Sequence, residues 1–233
     1  MKDFQAINGK VFIDAILKDY YPKIAKSILH LKEITDSELN LFGNALFHLF
    51  NLSTCKYGCA GGGHLIESFA GRVYNHAISS IYLICLEFYD ESLSLIRTIG
   101  EINNLTFLFV SDYPNSFDLW KSSDEKARRN KFSPAEVRKK LAALKLADLL
   151  PIDSVEYGEL SELYIHVNAS TRPNTHTQAK QAYVGGIEQK EGFEKAYEVL
   201  TRQTIIASMH LAKALNKDFV ITEINKLLKE IKE

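Results

Sequence analysis

Apolar residues recur at three- and four-residue steps along most of this chain, the spacing of α-helices that bury one face. Val11, Ala15, Ile16, Tyr20, Ile24, Ile28 and Leu31 trace a first helix over residues 10–32. Thr35, Asp36 and Ser37 offer N-caps for a second, over 37–53, which carries Leu39, Leu41, Leu46, Phe47 and Phe50. Gly58, Gly61, Gly62 and Gly63 then break the pattern, because glycine is costly inside a helix. Helical spacing resumes over 64–112, with an interruption expected near Tyr89–Asp90. Between Ile78 and Val110 this stretch is apolar almost all round, which assigns it to the centre of a bundle. Pro114 ends it.

Downstream, Ser133, Pro134 and Glu136 supply an N-cap, a first-turn proline and the glutamate of a capping box. The helix they start puts Val137, Leu141 and Leu144 on one face. Another helix is expected from Asp153 or Ser154 to about His166, and two more over 193–215 and 218–232. Asn168–Gly192 is polar and has no helical period. Loops of that length in compact domains are often functional. Tyr183–Ile187 is open to a small hairpin. The pattern as a whole predicts an all-α fold, an up-and-down helical bundle with additional terminal helices. It reads as one domain over 1–233, with a core bundle at 64–215, N-terminal helices at 10–53 and the polar loop at 168–192.

Charge adds a second layer. The net charge is −1, so the chain lacks the basic excess of most nucleic-acid binders. The charge is unevenly spread, however. Residues 121–145 hold nine basic residues (Lys121, Lys126, Arg128, Arg129, Lys131, Arg138, Lys139, Lys140, Lys145) against Asp124, Glu125 and Glu136, a local balance of +6. This segment is the expected contact for RNA or a partner protein, with a solvated helix face as the alternative. No apolar stretch approaches the ~20 residues of a membrane span. The N-terminus carries no secretory pattern, and the three cysteines are odd in number. Together these predict a cytoplasmic protein with free thiols. The apolar stripes of the terminal helices suit a homodimer.

Two clusters carry candidate chemistry. Arg97 and Glu101 lie four residues apart on the helix expected to be most buried, so they share a face. Buried charges are rare unless paired or used. Further on, Glu159, Glu162 and His166 share one face of a helix, while Tyr157, Ser161 and Tyr164 share another. Glu162 is placed to orient His166 as a general base. The plain alternatives are a structural ion pair and a solvated acidic face. A metal is not expected: Cys55-x-x-x-Cys59 with His64 lacks a second ligand pair at zinc-finger spacing, and His64-x-x-Glu67 reverses the di-metal bundle motif. The glycine run before the third helix matches neither phosphate-binding signature and reads as a connector. No cofactor is expected.

These residues resemble an uncharacterised prokaryotic helical family. The resemblance covers about 75–170 and rests on Arg97, Glu101, Trp120, Arg128, Arg129, Phe132, Ser133, Pro134, Val137, Arg138, Tyr157, Leu160, Ser161, Glu162 and His166. It implies that Arg97, Glu101 and His166 meet inside the bundle. A looser likeness is to HEPN domains, many of them metal-independent ribonucleases of toxin or anti-phage systems. Their arginine–histidine motif is one or more residues longer than Arg72-x-x-x-His76 or Arg172-x-x-x-His176 here. That likeness implies RNA cleavage by a set of Arg97, Glu101, Ser161, Glu162 and His166. His166 would act as acid or base, and Arg97 would stabilise the developing charge. The other reading is a non-enzymatic interaction module in which the Arg97 cluster fixes helix register.

Overall fold

The computed structural model describes residues 8–20, 34–59, 63–166, 169 and 171–231. Among them are ten α-helices and no strand: α1 (Gly9–Tyr20), α2 (Asp36–Ser53), α3 (Leu65–Cys85), α4 (Tyr89–Ser111), α5 (Asn115–Ser122), α6 (Glu125–Lys131), α7 (Pro134–Ala143), α8 (Ser154–Tyr164), α9 (Lys190–Ala214) and α10 (Asp218–Glu230). The all-α expectation holds.

The core is a set of four helices, α2, α3, α4 and α9, in which α3 and α9 pack on each other and on both α2 and α4. Each contributes residues at helical spacing: Phe42, Ala45 and Leu49; Ala70, Val73 and Ala77; Leu93, Ile96 and Ile99; Ala196, Leu200 and Ala207, all fully buried. α3 and α4 are joined by Leu86–Phe88, a link so short that they must run antiparallel. α1 packs on α2, and α10 packs on α9 and α2. On the other side, α7 and α8 pack on α4.

The predicted boundaries need several corrections. The long stretch over 64–112 breaks at Leu86–Phe88, slightly before Tyr89–Asp90, with Glu87 in a left-handed turn. The second half of the first predicted helix lies outside the described residues. α2 starts with a full capping box, in which the Thr35 hydroxyl accepts from the Glu38 amide and the Glu38 carboxylate returns to the Thr35 amide. At α7 only half of the expected box forms. Ser133 caps the Glu136 amide, but the Glu136 carboxylate turns to Lys139 at 2.6 Å. Two short helices, α5 and α6, escape the periodicity because seven or eight residues span barely two turns. Phe117 and Trp120 of α5 cover Phe109 and Phe69. The hairpin at Tyr183–Ile187 does not form among the described residues. Val184 is 98% exposed, so no buried side is there to hold one.

Buried amides of α4 position α8. The Asn104 side chain donates to the Ile152 carbonyl at 2.8 Å and accepts from the Ile152 amide at 3.1 Å. Asn103 donates to Gln203 of α9 at 2.7 Å, and Gln203 donates to the Pro151 carbonyl at 2.7 Å. Gly100 makes room for the same segment. A Cβ there would lie 3.0 Å from Ile152 Cγ2. Asp153 then caps α8 by accepting from the Val155 and Glu156 amides, both at 2.8 Å.

Candidate functional site

With Pro151–Ile152 fixed, α8 lays its Tyr157–Ser161 face on α4. Arg97 Nε donates to Ser161 Oγ at 2.7 Å, and Arg97 also bonds the Tyr157 hydroxyl. The Tyr157 hydroxyl donates to Glu101 Oε1 at 2.9 Å. Glu101 closes the ring with Arg97 at 3.1 Å, and Ser161 Oγ donates back to the Tyr157 carbonyl at 2.7 Å. A second arginine, Arg138 of α7, lies 4.4 Å from the centre of the Tyr157 ring, and Arg97 lies 4.3 Å from it. These contacts join α4, α7 and α8 in one network. Burial raises the Tyr157 phenol above its ordinary range, and the neighbouring Glu101 carboxylate adds to the shift. The phenol therefore keeps its proton and serves as a donor.

The structure thus joins Arg97, Glu101 and Ser161 of the predicted set and adds Tyr157. It does not bring in His166. His166 is exposed just past the end of α8, and its side chain makes no hydrogen bond or ion pair with Arg97 or Glu101. The expectation that the three residues meet is corrected here. Tyr157 and Ser161 face α4 and Glu162 points outward on the same helix, while α8 ends at Tyr164, so His166 lies beyond its last turn and off the face that meets α4.

The basic segment is also altered by folding. Arg128 lies over Trp120, Arg138 over Tyr157 and Lys140 over Phe132, while Arg129 and Lys139 pair with Glu125 and Glu136. Lys121, Lys126, Lys131 and Lys145 remain exposed cations, spread over α5, α6 and the turn after α7.

A constellation that periodicity did not reveal lies at the N-terminus of α4. His176 Nε2 bonds Asp90 Oδ1 at 2.7 Å, and the Asn174 amide donates to Asp90 Oδ2 at 2.6 Å. Both side chains are nearly buried, His176 at 7% and Asp90 at 13% exposure. The His176 ring stacks on Tyr164, and the His176 amide donates to Gln189 Oε1 at 3.1 Å. Gly192 leaves room for the ring, since a Cβ there would meet Tyr89 at 2.6 Å and His176 at 3.0 Å. These contacts hold the aperiodic 171–189 segment against the bundle. Beside it opens a cavity of ≈ 570 Å³, lined by Tyr164, Arg172, Thr175, His176, Lys180 and Lys195 among others. Lys195 pairs with Glu159, whereas Arg172 and Lys180 make no ion pair among the described residues. The one sequence signal was Arg172-x-x-x-His176, which read only as an ill-spaced motif.

No family model matches the chain, and comparison with curated proteins and with solved structures finds no match.

Proposed function

We propose that the chain is a non-enzymatic helical interaction module. The Arg97–Glu101–Tyr157–Ser161 group is its internal clamp, and the cavity beside the 171–189 segment receives an acidic stretch of a partner protein. The single observation that carries this reading is the buried Asp90–His176 pair. It anchors a polar segment that would otherwise have little reason to hold one conformation, and so presents Arg172 and Lys180 on a fixed surface. Leu163, 47% exposed, and the Tyr164 ring form an apolar edge beside those cations. An edge of that kind suits a peptide with acidic and aliphatic side chains. The Arg97 guanidinium is consumed by its own neighbours, which suits a clamp better than a centre of catalysis. The ribonuclease reading would require His166, exposed beyond the end of α8, to reach the Arg97 group.

The test is fluorescence anisotropy with a labelled peptide of alternating glutamate and leucine. The reading predicts saturable binding that weakens at least tenfold in the Arg172→Glu/Lys180→Glu double variant at unchanged melting temperature. Equal binding by the wild type and the double variant overturns it.

A further inference from the structure

The turn between α2 and α3 gathers four donor side chains that the clamp and the cavity do not use. Single ligand atoms from Cys55, Cys59, His64 and Glu67 all lie within 4.8 Å of one another. The Cys55 sulfur is 3.4 Å from His64 Nδ1. Four ligands around a zinc ion at 2.0–2.3 Å stand about 3.3–3.8 Å apart, so this set needs to contract by only about 1 Å.

Local chemistry argues that these residue types are placed for a purpose. α2 ends in a Schellman motif, with the Cys55 amide donating to the Leu52 carbonyl at 3.3 Å and the Lys56 amide to the Asn51 carbonyl at 3.0 Å. The left-handed residue of that motif is usually glycine, and here it is Cys55, with φ 56°. The N-cap of α3 usually belongs to serine, threonine or aspartate. Here it is His64, also left-handed at φ 57°, and its side chain caps nothing. Its Nδ1 turns to Cys55 instead. Glu67, in the first turn of α3, is only 2% exposed. Two helix ends thus give up their favoured residues to metal donors, and a buried carboxylate completes the group.

The turn is also pinned in place. Tyr57, between the two cysteines, receives its hydroxyl contacts from His48 Nδ1 at 2.9 Å and Asn51 Nδ2 at 3.2 Å, and its ring packs on Phe219 of α10. We propose that Cys55, Cys59, His64 and Glu67 bind one Zn²⁺ in a closed tetrahedral site that ties α2 to α3. Two thiolates and an imidazole are the soft, nitrogen–sulfur set that favours zinc over magnesium or calcium. Binding converts two thiols to thiolates and releases two protons to water. The loaded site carries a net charge of −1, and the Lys217 ammonium lies close to Gly58 of the same turn. All four positions are protein donors, so the ion is structural. It lies at the opposite end of α3 from the cavity, about 30 Å away along the 21 residues of that helix. In the sequence the four residues fall into two incomplete motifs, Cys55-x-x-x-Cys59 with His64 and His64-x-x-Glu67, which only the fold joins into one group.

The test is zinc analysis of the full chain, purified under reductant, then cobalt substitution. One zinc per chain is expected, and Co²⁺ should give thiolate charge-transfer bands with the strong ligand-field absorption of a tetrahedral site. Cys59→Ser alters an exposed side chain and should keep the helical circular dichroism while weakening zinc affinity at least 100-fold. Glu67→Gln should weaken it 10- to 100-fold and shift the cobalt spectrum. A reduced wild-type chain that takes up no zinc overturns the proposal. So does zinc binding that survives both variants unchanged.

Discussion

Replacing Arg97 by alanine tests the clamp most simply. The substitution removes donors to Ser161 and Tyr157, the ion pair with Glu101 and the contact of the guanidinium with the Tyr157 ring. An exposed pair at this spacing would contribute only ~0.3–0.5 kcal/mol. Here the Arg97 side chain is 15% exposed and Glu101 29%, so water screens the group only partly. Ser161 keeps its bond to the Tyr157 carbonyl and Glu101 keeps the Tyr157 hydroxyl, which limits the damage. Losing two charged hydrogen bonds and a ring contact, discounted for that residual exposure, costs roughly 2–4 kcal/mol. At about 2–4 °C per kcal/mol for a chain of this size, the melting temperature should fall by roughly 4–16 °C. His166→Ala removes an exposed side chain and should cost less than about 0.5 kcal/mol. Paired thermal melts by circular dichroism measure both. An Arg97→Ala melt within a degree of wild type would refute the clamp, as would an equal loss in His166→Ala.

Further expectations concern other parts of the fold. Burial holds the His210 imidazole down to about 4, against 6.5 when exposed. The unfolded chain therefore takes up a proton that the folded one refuses as pH falls below 6.5. The associated stability is complete above 6.5 and should drop by about 2 kcal/mol by pH 5. His210→Gln should flatten that part of a denaturant-monitored pH profile. Asp90→Ala strips the acceptor from His176 and from the Asn174 amide, so limited proteolysis should cut within 171–189 many times faster while α2, α3 and α9 stay intact. Gly192→Ala drives a methyl into Tyr89 and His176, and should reproduce that proteolytic sensitivity without touching a charge.

The bundle was legible because its buried positions repeat over many turns in α2, α3, α4 and α9. The short α5 and α6 carry too few turns to show a period. Of the candidate residues, Arg97 and Glu101 were visible as charges in an apolar run, and Ser161 followed from its place on α8. His166 stands apart because α8 ends at Tyr164, short of the predicted end, and because three- and four-residue spacing shows which residues share a face, but not which face meets α4. That choice is made by Asn104 and Gly100, which seat Ile152, and by Asn103, which holds Pro151 through Gln203; together they set the phase of α8. The Asp90–His176 pair joins residues 86 positions apart, a separation that no local pattern reports.

The central claim is that the Arg97 group holds helices together and performs no chemistry. The most direct measurement is cleavage of structured and single-stranded RNAs by the purified wild type, with and without Mg²⁺, alongside Arg97→Ala and His166→Ala. The account predicts that all three proteins leave RNA intact. Cleavage by the wild type that disappears in His166→Ala, at an unchanged melting temperature, would contradict it.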